Sequence, residues 1–307
     1  MQNLPRGSVV KDFFVADDDC VVVNADYKTL EVVIAAILSD DPAMKKPFIE
    51  KLDFHSETTR KVYAKELAEL QAAVAAKDRK PFDTVLEMSM MLEVRHKVHD
   101  LLDAGDFEGA YHALWKHMRF LTKFITFGIA YGRGAESLAK GELNCTIMQA
   151  QQYVTQFMSG YPKYSKWRDA QFEHARKTGY VQNVFGFKRR WPFITADTLH
   201  EIRNQAFNTP IQGAASQICM MSLSEAQEEL KKRGWGRVLF TVHDSIVYSI
   251  RKEHLQAALG LIHEIMVKDR IGTDCPLEIE FEVGDSYKRV SPWIKEGDSW
   301  IPDPNEE

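Results

Sequence analysis

The stretch CVVVNADYKTLE at 20–31, continued by VVIAAILSDD at 32–41, decides the architecture. Residues 20–24 read as a buried strand, since the β-branched residues Val21 to Val23 run without polar interruption up to Asn24, which puts Asp26 at a strand end. From Leu30 the apolar residues Val33, Ile34, Ile37 and Leu38 recur at helical spacing and stop near Ser39-Asp40-Asp41-Pro42. Far downstream, 237–242 and 246–250 read as short strands flanking His243-Asp244-Ser245, a hairpin with a polar, titratable tip. Between these landmarks helices are expected at 55–75, at 84–115 with a break near Gly105, at 113–127 and at 144–158. Two more are expected at 214–232, after Pro210, and at 252–268. A hairpin is expected at 178–193 around Gly186 and a last strand at 277–283. Helices mixed with a mostly hairpin-connected sheet predict an α+β fold.

Composition narrows the class. In 307 residues, 45% are hydrophobic and 27% charged, which excludes a disordered chain or a coiled-coil rod. The four cysteines lack CxxC spacing, so neither a disulfide framework nor a zinc knuckle is indicated. No stretch approaches a membrane span and the N-terminus lacks a secretory signal, giving the expectation of a cytoplasmic protein. A net charge of −5 argues against holding nucleic acid by uniform attraction. Residues 161–190, however, carry eight basic residues against two acidic ones, a local excess of +6.

Two sets of residues point to chemistry. Asp26 and Asp244 each stand at a strand end, 218 positions apart. Brought together, two carboxylates suit a pair of Mg²⁺ ions, since hard cations take oxygen ligands; taken alone, the stronger reading is of turn or cap aspartates. In RFLTKFITFGIAYGRG at 119–134, Arg119, Lys123, Phe127 and Tyr131 recur at i+4. Such a face offers two cations for phosphates and two aromatics for base and sugar. The same spacing also describes a half-exposed helix with solvated cations and core aromatics. Gly128 and Gly132 favour close approach of a ligand or a hinge.

VVNADYKTLEVVIAAILSDD at 22–41, RFLTKFITFGIAYG at 119–132, NTPIQGAAS at 208–216 and TVHDS at 241–245 resemble, in order, the palm and fingers motifs of family A DNA polymerases. MQNLPRG at 1–7, DFHSETT at 53–59 and GYVQNVFGFKRR at 179–190 resemble subsidiary elements of the same family. The resemblance implies a right-hand polymerase fold, with an antiparallel palm sheet, a helical fingers subdomain, and the thumb and exonuclease domains absent. It divides the chain into palm at 1–54, fingers at 55–200 and palm at 201–307. It also implies two Mg²⁺ ions on Asp26 and Asp244, with Lys123 as a catalytic cation. Tyr27, Glu31, His55, Arg119, Lys123, Phe127 and Tyr131 would contact the incoming dNTP, Glu31 as the gate against a 2′-hydroxyl. Arg6, Lys11, Arg189, Arg190, Arg203, Asn208, Gln212 and His243 would contact the DNA primer-template.

Three departures stand out. Val33 replaces an arginine and Lys28 a serine common in the family, and Ser245 stands where many members carry a second acid. His-Asp-Ser also occurs in single-subunit RNA polymerases, but Glu31 favours a DNA polymerase. A catalytically silent binding or assembly module is the alternative from another class. The segment at 60–112 reads as an added helical insertion, and the start at a pre-palm segment gives the expectation of a split phage enzyme. A second polypeptide would then supply the thumb or exonuclease function, in the host cytoplasm.

Overall fold

The computed structural model describes residues 9–88, 92–141 and 143–305, and the Arg6 expectation lies outside them. The chain divides into two compact units, one from residues 1–34, 182–188 and 210–307, the other from 35–181 and 189–209. The strands are β1 (Cys20–Tyr27), β2 (Tyr180–Gln182), β3 (Lys188–Arg190), β4 (Gly236–Val242), β5 (Ser245–Arg251), β6 (Ile279–Gly284), β7 (Val290–Glu296) and β8 (Ser299–Pro302). The helices are α1 (Leu30–Ser39), α2 (Pro42–Ile49), α3 (Phe54–Val62), α4 (Ala64–Ala76), α5 (Lys80–Met88), α6 (Leu92–Asp103), α7 (Phe107–Ala130), α8 (Ala135–Lys140), α9 (Ile147–Gly160), α10 (Pro162–Thr178), α11 (Leu199–Arg233) and α12 (Leu255–Met266). The fold is therefore α+β, as the sequence predicts.

The first unit is built on a six-stranded antiparallel sheet in the order β4-β5-β1-β6-β7-β8. β1 lies inside it, which explains its uninterrupted apolar run. Val23, Ala25 and Tyr27 share one face with Ile246 and Tyr248 of β5 and with Ile279, Phe281 and Val283 of β6; all are buried. α12 and the C-terminal part of α11 cover this face. The Tyr27 hydroxyl donates to the Met266 carbonyl at 2.9 Å and meets the Ser222 hydroxyl at 2.9 Å. Each fully buried aliphatic or aromatic side chain here contributes about 1.5–3 kcal/mol. On the opposite face the register sets Asn24, Asp26, Ser245, Glu280 and Glu282 side by side. The strand runs two residues past Ala25, so Asp26 is held in the ladder rather than beyond its end.

The second unit is helical, with the 24-residue α7 as its spine. α3, α4 and α9 pack on it. Thr59 donates to Thr122 of α7 at 3.0 Å, and Thr58 meets the Tyr161 hydroxyl at 2.7 Å. The helix expected at 55–75 breaks at Tyr63, whose φ of −113° and ψ of 28° end α3 and begin α4. α11 runs through Pro210 instead of starting after it. Gly128 has a packing explanation: a Cβ there would lie 2.4 Å from Leu138 of α8. Gly132 ends the helix in the left-handed region at φ +75°, where a Cβ would lie 2.9 Å from Asn204. Neither glycine needs a ligand to account for it. No helix among the described residues is long and apolar enough to cross a membrane.

Candidate functional site

In the first unit the two distant aspartates meet. Asp26 pairs in register with Ser245, and Asp244 precedes Ser245 in the turn that joins β4 to β5. His243 makes that turn possible with a left-handed φ of 55°, and its side chain is exposed. The Ser245 hydroxyl donates back to the Val242 carbonyl at 2.9 Å, tightening the tip.

The Asp26 side chain keeps contact with solvent while surrounding protein displaces much of its hydration. That desolvation, followed by repulsion from Asp244, Glu280 and Glu282, pushes its pKa up to about 7. Burial also raises the Asp244 carboxyl, opposed by its own backbone amide and by His243. Two negative groups that each resist ionisation make a setting that a cation relieves. Among the described residues no group of three or more His, Cys, Asp or Glu is arranged to hold a metal ion. A site of two carboxylates still fits Mg²⁺, which characteristically takes one or two carboxylates and completes its shell with water and phosphate oxygens.

The flanking glutamates are restrained. Lys28 pairs with Glu280 at 3.1 Å, and the Asn24 amide donates to Glu282 at 2.8 Å. The Oδ1 atom of Asn24 is buried without a partner. Sequence reasoning missed these glutamates, although the alternation in LEIEFEVG at 277–284 puts 278, 280 and 282 on one face. The Tyr27 ring is buried against the helices, and its hydroxyl is engaged there. Glu31 is half-buried in the first turn of α1. Lys11 lies 5.0 Å over the Tyr287 ring, and Gln212 is exposed on α11.

In the second unit α3 and α7 gather the expected cationic and aromatic group. Asp53 caps α3, accepting from the Ser56 amide at 2.7 Å. Its carboxylate also takes Arg119 as a fork, from Nε at 2.8 Å and Nη2 at 2.7 Å. Desolvation pushes the Asp53 pKa up, but the Arg119 and Ser56 hydrogen bonds outweigh it and hold the carboxyl far below its ordinary value. Asp53 is thus a partner that the sequence reading overlooked, though an Asp opening a helix is a cap signal.

His55, two residues along, is buried with its ring 5.7 Å from that of Phe127. Burial brings its pKa down to about 4, Asp53 opposing and Lys123 and Arg119 assisting. Lys123 is half-buried, and among the described residues no carboxylate lies within ion-pair distance of it. Arg119, Lys123 and Phe127 share one continuous helix face, while exposed Tyr131 forms the C-cap of α7. Arg189 and Arg190 are exposed on β3. Arg203 pairs with Asp169 at 3.0 Å, and Asn208 has a buried Oδ1 without a partner.

A family model for DNA polymerase family A matches residues 1–82 and 86–289. The thermostable DNA polymerase I of Thermus filiformis is 26% identical over 292 residues, covering 92% of this chain and 29% of that protein. DNA polymerase I of Chloroflexus aurantiacus is 24% identical over 299 residues, covering 95% and 27%. The chain therefore spans less than a third of the length of these relatives. Among solved structures, the POL domain of Pol1 from M. smegmatis, in complex with DNA primer-template and dNTP, superposes with a TM-score of 0.71. That likeness, at 22% identity over 94% of this chain and 44% of the other, establishes the fold. With the family model matched along most of its length, the chain belongs to DNA polymerase family A.

Proposed function

We propose that this chain is a DNA-directed DNA polymerase that adds a deoxynucleotide from dNTP to a primer 3′-hydroxyl under the direction of a template. The observation that carries the reading is the meeting of Asp26 and Asp244 across β1 and the β4–β5 turn, with their carboxyls held above the ordinary range. Asp26 and Asp244 would hold two Mg²⁺ ions, which when bound supply positive charge to the reacting phosphate and to the attacking oxygen. The chain's own residues bind and orient. Lys123, which has no carboxylate within ion-pair distance among the described residues, is the cation assigned to the triphosphate, and Phe127 with Tyr131 to the base and sugar. Arg119 reaches a phosphate by exchanging its fork on Asp53, so Asp53 tunes its availability. Buried His55 stays neutral above about pH 4 and offers a ring hydrogen bond rather than a charge.

Glu31 is assigned the exclusion of the 2′-hydroxyl. Tyr27 is assigned to the nucleotide side of the site, with its hydroxyl anchoring β1 to the helices beneath. Lys11, Arg189, Arg190, Arg203, Asn208, Gln212 and His243 are assigned to primer-template. Addition of a single nucleotide tests this without demanding a sustained grip on DNA. The purified chain with Mg²⁺ and a primed template should add the complementary dNMP in preference to the three others and to the matching ribonucleotide. No addition, or addition indifferent to the template base, overturns the assignment.

A further inference from the structure

On the sheet face that carries Asp26, strand register sets three side chains in one row. Asp26 of β1 stands opposite Ser245 of β5 on one side and opposite Glu280 of β6 on the other. Directly opposed residues of an antiparallel pair keep their Cβ atoms about 4.5–5.5 Å apart. The Ser245 hydroxyl is turned to the Val242 carbonyl at 2.9 Å and brings no charge. Glu280 brings a full one, close enough to repel the Asp26 carboxylate. The roles of Asp26 and Asp244 leave it unused.

Like charges directly opposed across a sheet are unfavourable, so the row needs a counter-charge. Lys28, just past the end of β1, supplies part of it from 3.1 Å. Its amide donates to the Glu278 carbonyl at 2.9 Å, which fixes its place beside β6. The ion pair itself is loosely held. The Lys28 and Glu280 side chains stay 44% and 65% exposed, and Glu278 shares the same ammonium at 3.9 Å. An ion pair this open to water adds little stability and exchanges readily. Glu282, farther along β6, differs, since the buried Asn24 donates to it at 2.8 Å. Of the two glutamates, Glu280 is thus the one able to turn toward the site.

Direct ligation is not its part, because among the described residues no three His, Cys, Asp or Glu are arranged to hold one metal ion. A carboxylate beside the ligands acts through water: it accepts a hydrogen bond from a water on the ion and lends its charge. Two carboxylates offset only half the charge of two Mg²⁺ ions, and Mg²⁺ keeps several waters. We infer that Glu280 is a positioning residue for the divalent ions of Asp26 and Asp244, holding an ion's bound water from β6, and that Lys28 limits the charge it lends. The inference rests on the assignment of divalent ions to Asp26 and Asp244 in the polymerase reading.

The test is Mn²⁺ binding to the whole chain without nucleotide or DNA, read from the free Mn²⁺ signal in electron paramagnetic resonance. Thermal unfolding in EDTA is followed alongside. Glu280→Gln should weaken binding about tenfold, and Glu280→Asp should weaken it less. Lys28→Ala should tighten binding about threefold. Glu278→Gln, which removes the same charge beside Lys28 but not opposite Asp26, should change it less than about twofold. In EDTA, Glu280→Gln should unfold no earlier than the unaltered chain, because it relieves the repulsion on Asp26. A merely structural Glu280 would lower stability and affinity together. Mn²⁺ affinity within about twofold of the unaltered chain for Glu280→Gln, or earlier unfolding in EDTA alongside the weaker binding, overturns the inference and leaves Asp26 and Asp244 in place. Failure of the unaltered chain to bind Mn²⁺, or an affinity unmoved by Asp26→Asn, removes the ion site and overturns both readings.

Discussion

His55 shows how one residue's surroundings fix its chemistry. Its pKa is brought from 6.5 to about 4, so the unfolded chain takes up a proton in a range where the folded chain does not. Stability from this group is fully present above about pH 6.5 and is lost as pH falls toward 4. At pH 4.5 the loss is about 2 kcal/mol relative to pH 7.5. Urea midpoints at the two pH values, compared between the unaltered chain and His55→Gln, should show a smaller drop in the variant; equal drops would remove the buried-neutral account. Glu31 carries a second expectation at this scale. Glu31→Ala should raise ribonucleotide use relative to deoxyribonucleotide use by tenfold or more, because a polar group placed to reject a hydroxyl is worth a few kcal/mol. An unchanged ratio of kcat/KM for the two sugars would remove Glu31 as the gate.

At the scale of elements, α7 and α8 meet where Gly128 admits Leu138. Gly128→Ala puts a methyl into that contact and should destabilise the chain by about 1–3 kcal/mol, despite the better helix propensity of alanine. Leu138→Ala in the same chain should return part of that loss. Additive losses in thermal unfolding of the double variant would show that the two do not meet.

Much of this level was legible in advance. The apolar run at 20–23 and the hairpin at 237–250 announce themselves because β1 and β5 lie inside the sheet and are buried. The rest was hidden for identifiable reasons. β7 and β8 lie toward one edge of the sheet, where polar residues and Pro292 and Pro302 mask any alternation. Pro210 looks like a helix start, yet α11 carries it in its interior. The candidate site divides the same way. Asp26, Asp244, His55, Arg119 and Lys123 follow from motifs, whereas the Asp53 fork on Arg119 and the glutamates beside Asp26 depend on strand register and chain folding.

For the whole molecule, the +6 stretch at 161–190 is weaker than its composition suggests. Lys163 pairs with Asp40 and Arg176 with Glu173, and Arg168 lines a cavity of the second unit. Lys166, Lys177, Arg189 and Arg190 have no carboxylate within ion-pair distance among the described residues. Were these four to meet phosphates, duplex affinity would fall about 100-fold between 50 and 200 mM salt. A binding isotherm flat over that range would show that the duplex is held without them.

The central claim is that Asp26 and Asp244 form one divalent-ion site that drives nucleotide addition. Its most direct measurement is the rate of single-nucleotide addition by the unaltered chain, Asp26→Asn and Asp244→Asn across a Mg²⁺ titration, with thermal unfolding followed alongside. The account predicts a loss of at least 100-fold for either variant at every Mg²⁺ concentration, with folding retained. A rate within threefold of the unaltered chain for either folded variant would contradict it.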